Sequence, residues 1–276
     1  MIAVINPRTI PSREPSVDLP GGSELRPLSP RSIVLSVLLG SHPPSMPVGR
    51  LLAFTSLFGI SDGSARTALS RMVASGELVN ADGTYRLSGR LLERQTQQDA
   101  GRVEPAGAWD GTWWFAAITT DRRSVAARRD FRTRVVGARF GELRPDTWLR
   151  PANIDVPLDL PDVVLTRGPI LTGDSAALVA SLWPLDELDR GARRHAERLA
   201  SVSDLLATDD GDGALVDSFV ALAGAQRFLR TEPQLPESLA PGPAARELRA
   251  RYGAAVDRFQ RRLAEFLGAA VSTAAR

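Results

Sequence analysis

The 276-residue chain has no cysteine and no lysine; all 34 of its basic residues are arginine. Without cysteine there are no disulfides, no thiolate zinc ligands and no cysteine nucleophile, and the composition suits a reducing cytoplasm. Histidine is scarce too. His42 and His195 lie far apart, and each reads as a surface or capping residue. A His-rich metal site is excluded, and few options remain for a catalytic base. Long apolar runs are also missing: "IVLSVLLG" and "ALVASLWPL" are too short to span a bilayer. The start, "MIAVINPRTIPSREPSVDLPGG", offers only "MIAVI" before Pro and Arg, below the length of a secretory signal core. The phosphate-cradling GxxxxGK[ST], zinc spacings and GxSxG are absent, so no enzymatic activity, cofactor or metal is expected. These absences predict a cytoplasmic protein with no membrane partner.

The apolar fraction of 43% is ordinary for a chain with a packed core. Formal net charge is only +2. Codon bias in a GC-rich genome accounts for an arginine-only set, so arginine content alone is no argument for nucleic acid, although guanidinium suits phosphate and guanine. Its distribution is more informative. Between Asp121 and Arg144, eight arginines (122, 123, 128, 129, 132, 134, 139, 144) meet three acids (Asp121, Asp130, Glu142). Between Glu197 and Asp217, six acids meet the single Arg198. The chain has a basic middle and an acidic later segment.

Residues 1–26 are rich in Pro, Ser and Gly without periodicity and read as a disordered tail. In "LSPRSIVLSVLLG", Ser29 suits an N-cap, Pro30 the first helical position and Gly40 the stop. "HPPSMP" reads as a loop. A second helix then carries Val48, Leu51, Leu52, Thr55 and Phe58 at helical spacing, up to Gly59. A third, capped by Ser61 or Asp62, places Ala65, Leu69, Met72 and Val73 on one buried stripe and ends at Gly76. "ELVNADGTYRL" alternates on both sides of Asp82–Gly83, a hairpin turn pair. Three helices and a hairpin give the winged helix-turn-helix order for residues 27–88. The face of the third helix opposite the stripe carries Thr67, Ser70 and Arg71, flanked by Ser64 and Arg66, with no glutamate from Ser61 to Gly76. Small polar residues and arginines reach phosphates and base edges, whereas a protein-docking face more often shows an aromatic or leucine.

Leu87, Leu91 and Leu92 begin an amphipathic helix that reads as a linker over 89–108. Over 109–207 the pattern is mixed. "WDGTWWFAAITT" is a strand whose Trp113 and Trp114 point to opposite faces, one to the core and the other to a pocket or interface. A basic helix over 122–136 turns Ala127, Phe131 and Val135 inward. "LRPDTWLRP" and "DVVLTRGPIL" are two short strands, and a helix capped by Asp174 or Ser175 bends at Pro184. The order β–α–β–β–α points to a ferredoxin-like α+β unit. "TDDGDG" is a hinge-like break that lacks the spacing of a calcium loop. Residues 214–276 are two helices separated by a Pro-rich turn. Three readings of the basic helix stand side by side: a solvated face, a surface tracking the DNA backbone, or a site for a phosphorylated ligand.

The blocks "GISDGSARTALSRMVASGELVNADGTYRLSGRLLERQTQQ", "WDGTWW", "GELRPDTWLRP" and "TEPQLPESLAP" resemble the PaaX-like family of bacterial transcriptional regulators, of the phenylacetate-catabolism repressor type. The resemblance covers most of residues 27–267, with the first block the most specific. It implies an α+β chain: an N-terminal winged helix-turn-helix, a central ferredoxin-like domain and a C-terminal helical domain. It also implies a homodimeric repressor on an inverted-repeat operator in double-stranded DNA, relieved by a small acidic effector such as an acyl- or aryl-CoA thioester. Ser64, Arg66, Thr67, Ser70 and Arg71 then form the groove-facing set, with Thr84 and Arg86 in the wing. Arg122, Arg123, Arg128 and Arg129 are the effector candidates. One departure stands out: where the family usually has a tryptophan after the "LP…LP" turn, this chain runs "SLAPGPAAREL". The alternatives are a winged-helix protein with a nucleic-acid-processing or otherwise enzymatic middle domain, and a protein-interaction module.

Overall fold

The computed structural model describes residues 29–104, 108–119, 124–156, 163–208, 211–239 and 242–274. The expected N-terminal tail, Arg122, Arg123 and, within "TDDGDG", Asp209 and Asp210 lie outside the described residues.

Local signals build the N-terminal unit. Ser29 Oγ accepts the Ser32 N–H (3.2 Å), and Pro30 opens α1 (Pro30–Leu39). The segment expected as a loop contains a short strand, β1 (Ser45–Pro47), before α2 (Val48–Ser56) and α3 (Asp62–Ala74). The hairpin β2 (Leu78–Ala81) and β3 (Thr84–Leu87) completes an antiparallel sheet of order β1-β3-β2. Its turn has Asp82 at φ 49° and Gly83 at φ 75°, the left-handed pair of a tight hairpin. A Cβ on Gly83 would meet nothing within 4 Å, so the backbone alone resists substitution. Gly83→Ala is expected to cost about 1–2 kcal/mol, read from urea unfolding midpoints.

The stripe on α3 is narrower than its spacing predicts. Ala65, Leu69 and Met72 are buried, but Val73 is 37% exposed. The next helix, α4 (Arg90–Arg102), is no free linker. It buries Gln95, Gln98 and Gly101, while Leu92 stays exposed. Gln95 Nε2 donates to the carbonyls of Leu39 (3.1 Å) and Ser41 (2.9 Å), satisfying the C-terminal end of α1.

The central sheet comprises β4 (Thr112–Ile118), β5 (Gly141–Arg144), β6 (Thr147–Pro151) and β7 (Val163–Pro169), in antiparallel order β5-β6-β4-β7. "LRPDTWLRP" thus forms parts of two strands rather than one. Helix α5 (Val125–Gly137) covers one face through Phe131 and Val135, against Ala116 and Trp148. Helix α6 (Ser175–Leu182) follows β7 and covers the other face, where Val179 packs on Trp113 and Leu149. This departs from the ferredoxin-like expectation in helix placement, since an α+β unit of that kind keeps its helices on one face. Ala127, expected inward, is exposed, because α5 meets the sheet only through its C-terminal half.

Pro184 separates α6 from α7 (Leu185–Thr208). Although expected in the central unit, α7 packs on α8 (Asp212–Thr231) and α9 (Ala244–Ala274). The same apolar core continues into the N-terminal unit. Phe54 and Phe58 meet Phe219 edge to face at 5.1 and 5.2 Å, and Phe219 meets Phe259 at 6.2 Å. In the Pro-rich turn, Leu239 is buried against the sheet's second apolar face.

The two motif blocks "WLRP" and "TEPQLP" meet in a buried polar hub. Arg150 is fully buried. It donates to the carbonyls of Pro151 (3.0 Å), Ala138 (3.1 Å) and Pro233 (3.4 Å), and to Asn153 Oδ1 (3.1 Å). Arg139 donates to the carbonyls of Leu229 (3.1 Å) and Glu232. Arg249 pairs with the Glu232 carboxylate. Gln234 Nε2 donates to the carbonyls of Ala100 (3.2 Å) and Val103 (2.9 Å), and its own carbonyl accepts from Asn153 (2.7 Å). A Cβ on Gly101 would come within 2.8 Å of Arg139 and 3.0 Å of the Leu229 carbonyl, so the bare glycine permits this approach. Burial pushes Arg150 down to about 9 and Arg139 down to about 10, both still charged at neutral pH.

Candidate nucleic-acid interface

The outward face of α3 follows from its capping and periodicity. Ser61 caps it, accepting the Ser64 N–H at 3.4 Å, and its hydroxyl bonds that of Ser64 at 3.0 Å. With Ala65, Leu69 and Met72 turned to the core, Ser64, Arg66, Thr67, Ser70 and Arg71 are all exposed. Thr67 Oγ1 donates to the Gly63 carbonyl (2.8 Å), so its remaining capacity toward a ligand is as an acceptor. Arg66 and Arg71 have no ion-pair partner among the described residues.

Ser64, Thr67 and Arg71 line a surface hollow shared with Ser29, Pro30 and Arg31 at the start of α1. Arg66 and Ser70 lie outside it. Two helix N-termini, capped by Ser29 and Ser61, therefore border one concavity, an arrangement favourable to anionic groups. Arg31 is held by Glu77, tying the start of α1 to the end of α3. The carboxylate is lowered from its usual range, chiefly because it accepts from Arg31. Sequence periodicity does not reveal this pair, because its members are 46 residues apart.

The hairpin residues share one side. Arg86 is opposite Val79 and Ser45, and Thr84 is opposite Ala81 and Pro47, across from buried Leu78 and Leu87. Arg86 is exposed, while Thr84 is half-buried in the central strand. The Val48 N–H donates to the Gly83 carbonyl (2.8 Å), placing the start of α2 against the hairpin turn. Arg50, in the first turn of α2, adds an exposed cation that periodicity does not single out.

The basic middle segment is not a pooled cationic face. Arg132 pairs with Glu142 and lies over Trp148 at 5.3 Å; Arg134 pairs with Asp130 at 3.1 Å; Arg139 is in the hub. Arg128 and Arg129 are exposed on α5 and line neither described cavity. Among the described residues, no group of three His, Asp or Glu side chains could hold a metal ion, and no helix is long and apolar enough to cross a membrane.

The family profile described as PaaX-like protein matches residues 29–91, the segment that carries the candidate residues. The solved structure of the uncharacterized protein Rv0674 from Mycobacterium tuberculosis is 35% identical to this chain. It superposes with a TM-score of 0.66, over 87% of this chain and 99% of that one. No curated protein matches. From the profile match and this full-length likeness together, the chain belongs to the PaaX-like family, a family of transcriptional regulators.

Proposed function

We propose that the chain is a DNA-binding transcriptional regulator whose N-terminal unit acts as a winged helix-turn-helix. In this reading α3 enters the major groove and the β2–β3 hairpin is the wing. The observation that carries it is the outer face of α3: Arg66 and Arg71, without ion-pair partners among the described residues, set among Ser64, Thr67 and Ser70. Phosphates sit at the capped helix N-termini, and the arginines are free for base edges. The chain acts as a homodimer on an inverted repeat, because one such unit makes few base contacts and two-fold symmetry doubles them. It is a repressor, released by a small acidic effector such as an acyl- or aryl-CoA thioester. It performs no chemistry.

The test is selection of bound duplexes from random DNA by the full chain. Enrichment of an inverted repeat, with affinity falling steeply as salt rises, is the expected result. Failure to enrich any sequence, with only a salt-insensitive background, would reject the reading in favour of a protein-interaction module. Metal-dependent cleavage of the DNA, lost on replacing a carboxylate, would favour an enzyme.

A further inference from the structure

We infer that the cleft enclosed by α1, α4, α8 and α9 binds an amphipathic organic anion, a ligand with an apolar tail and a carboxylate or phosphate head. The cavity within it is about 160 Å³, room for an apolar tail while a larger head stays at the mouth. Its floor is apolar, made by Val37 and Leu39 of α1, Phe219 and Leu222 of α8, and Phe259 and Leu263 of α9. Three arginines stand in its wall: Arg94 on α4, and Arg227 and Arg230 one turn apart on α8. None of the three has a side-chain hydrogen bond or ion pair among the described residues.

Several other polar groups of the wall are engaged within the protein. Arg102 donates to Gln226 (2.7 Å), pairs with Asp99 (3.0 Å) and lies over the Tyr252 ring (5.3 Å). Gln226 donates to the Gln98 carbonyl (3.3 Å), and Gln260 to that of Gly40 (3.4 Å). What remains is a cluster of like charges beside an apolar floor. Arg94 is pushed below the ordinary arginine range, first by burial and then by Arg230, Arg31 and Arg227. An anion placed among these guanidiniums relieves their mutual repulsion and can accept paired hydrogen bonds, while its tail covers the floor.

Helix α1 gives the cleft a route to the α3 face. Its C-terminal half, Ser36 to Gly40, walls the cleft, and its first residues, Pro30 and Arg31, wall the hollow beside α3. A ligand that favours one seating of α1 against α8 and α9 therefore shifts the position of α3; this coupling rests on the DNA-binding reading, whereas the binding site does not.

Calorimetry on the full chain tests the site with decanoate, 3-phenylpropionate and decanoyl-coenzyme A, and with inorganic phosphate and coenzyme A as tail-less controls. One saturable site for a tailed probe is expected, weakened about tenfold or more in Arg94→Gln/Arg230→Gln. The melting temperature of that variant should not fall, because it removes like-charge repulsion. Ala223→Trp, which puts a ring into the cleft, should abolish binding. Tight binding of the free acids assigns a carboxylate head; binding of the thioester alone assigns the phosphates. No heat from any tailed probe, or equal affinity in the wild type and the double arginine variant, overturns the site. For the coupling, a saturating probe should change affinity for the selected duplex by at least about fivefold. An unchanged affinity overturns the coupling. Failure to select any duplex counts against the DNA-binding reading, while one-site decanoate binding still upholds the cleft.

Discussion

Replacing Arg150 with leucine is expected to lower the free energy of unfolding by on the order of 4 kcal/mol. The guanidinium serves four oxygens from three separate stretches of chain: Ala138 just past α5, Pro151 ending β6 with Asn153 beyond it, and Pro233 after α8. Leucine would fill much of the volume but leave those oxygens buried without donors, and each lost donor costs roughly 1–3 kcal/mol before relaxation. Arg150→Lys should recover little, because one ammonium cannot span the same planar set of acceptors. The hub holds three arginines, Arg139, Arg150 and Arg249, around the single carboxylate of Glu232. Backbone carbonyls supply the rest of the compensation, so the network is intolerant of partial removal. Urea unfolding followed by tryptophan emission reports on it directly, since Trp113, Trp114 and Trp148 lie in the sheet the hub anchors. A loss below about 1 kcal/mol would show that the apolar core alone joins the sheet to the helices.

Arg71→Ala is expected to cost about 1–3 kcal/mol of specific DNA affinity and to relax preference at one base pair, provided Arg71 reads a base edge. If it contacts phosphate, binding should weaken equally on all sequences and the salt slope should fall by about one. Competition against random duplexes at several salt concentrations separates the two. Indifference of both affinity and slope would remove Arg71 from the interface. Folding should be unaffected, because Arg71 is exposed and makes no ion pair in the described structure. Ser64, Arg66, Ser70, Thr84 and Arg86 are tested the same way. Thr67→Val is expected to have the smallest effect of the α3 set, since its hydroxyl proton already goes to the Gly63 carbonyl.

Much of the N-terminal unit was legible in the chain because its determinants are local. Ser29 and Ser61 each accept a backbone N–H at a helix start, three residues on from themselves. Asp82–Gly83 turns the hairpin by its own backbone preference, and Ala65, Leu69 and Met72 recur with the helical period. Apart from Arg86 and the half-buried Thr84, the expected set lies on the outward side of one helix, so a correct helical phase sufficed to place it there.

Tertiary structure decided what depends on partners distant in sequence. Periodicity gives the phase of a buried stripe but not its width, so Val73 and Ala127 read as core yet face solvent. Apolar patterning cannot find a helix such as α4 that buries glutamines, because Gln95 is buried for the carbonyls of Leu39 and Ser41, more than fifty residues away. Composition showed a surplus of arginine but not its allocation. Arg132 and Arg134 are paired on the surface and Arg139 and Arg150 are sealed in the hub, while Arg94, Arg227 and Arg230 converge on one cleft without a counter-charge among the described residues. A guanidinium's role depends on which acceptors the folded chain brings within about 3 Å of it, and that is a property of packing rather than of spacing.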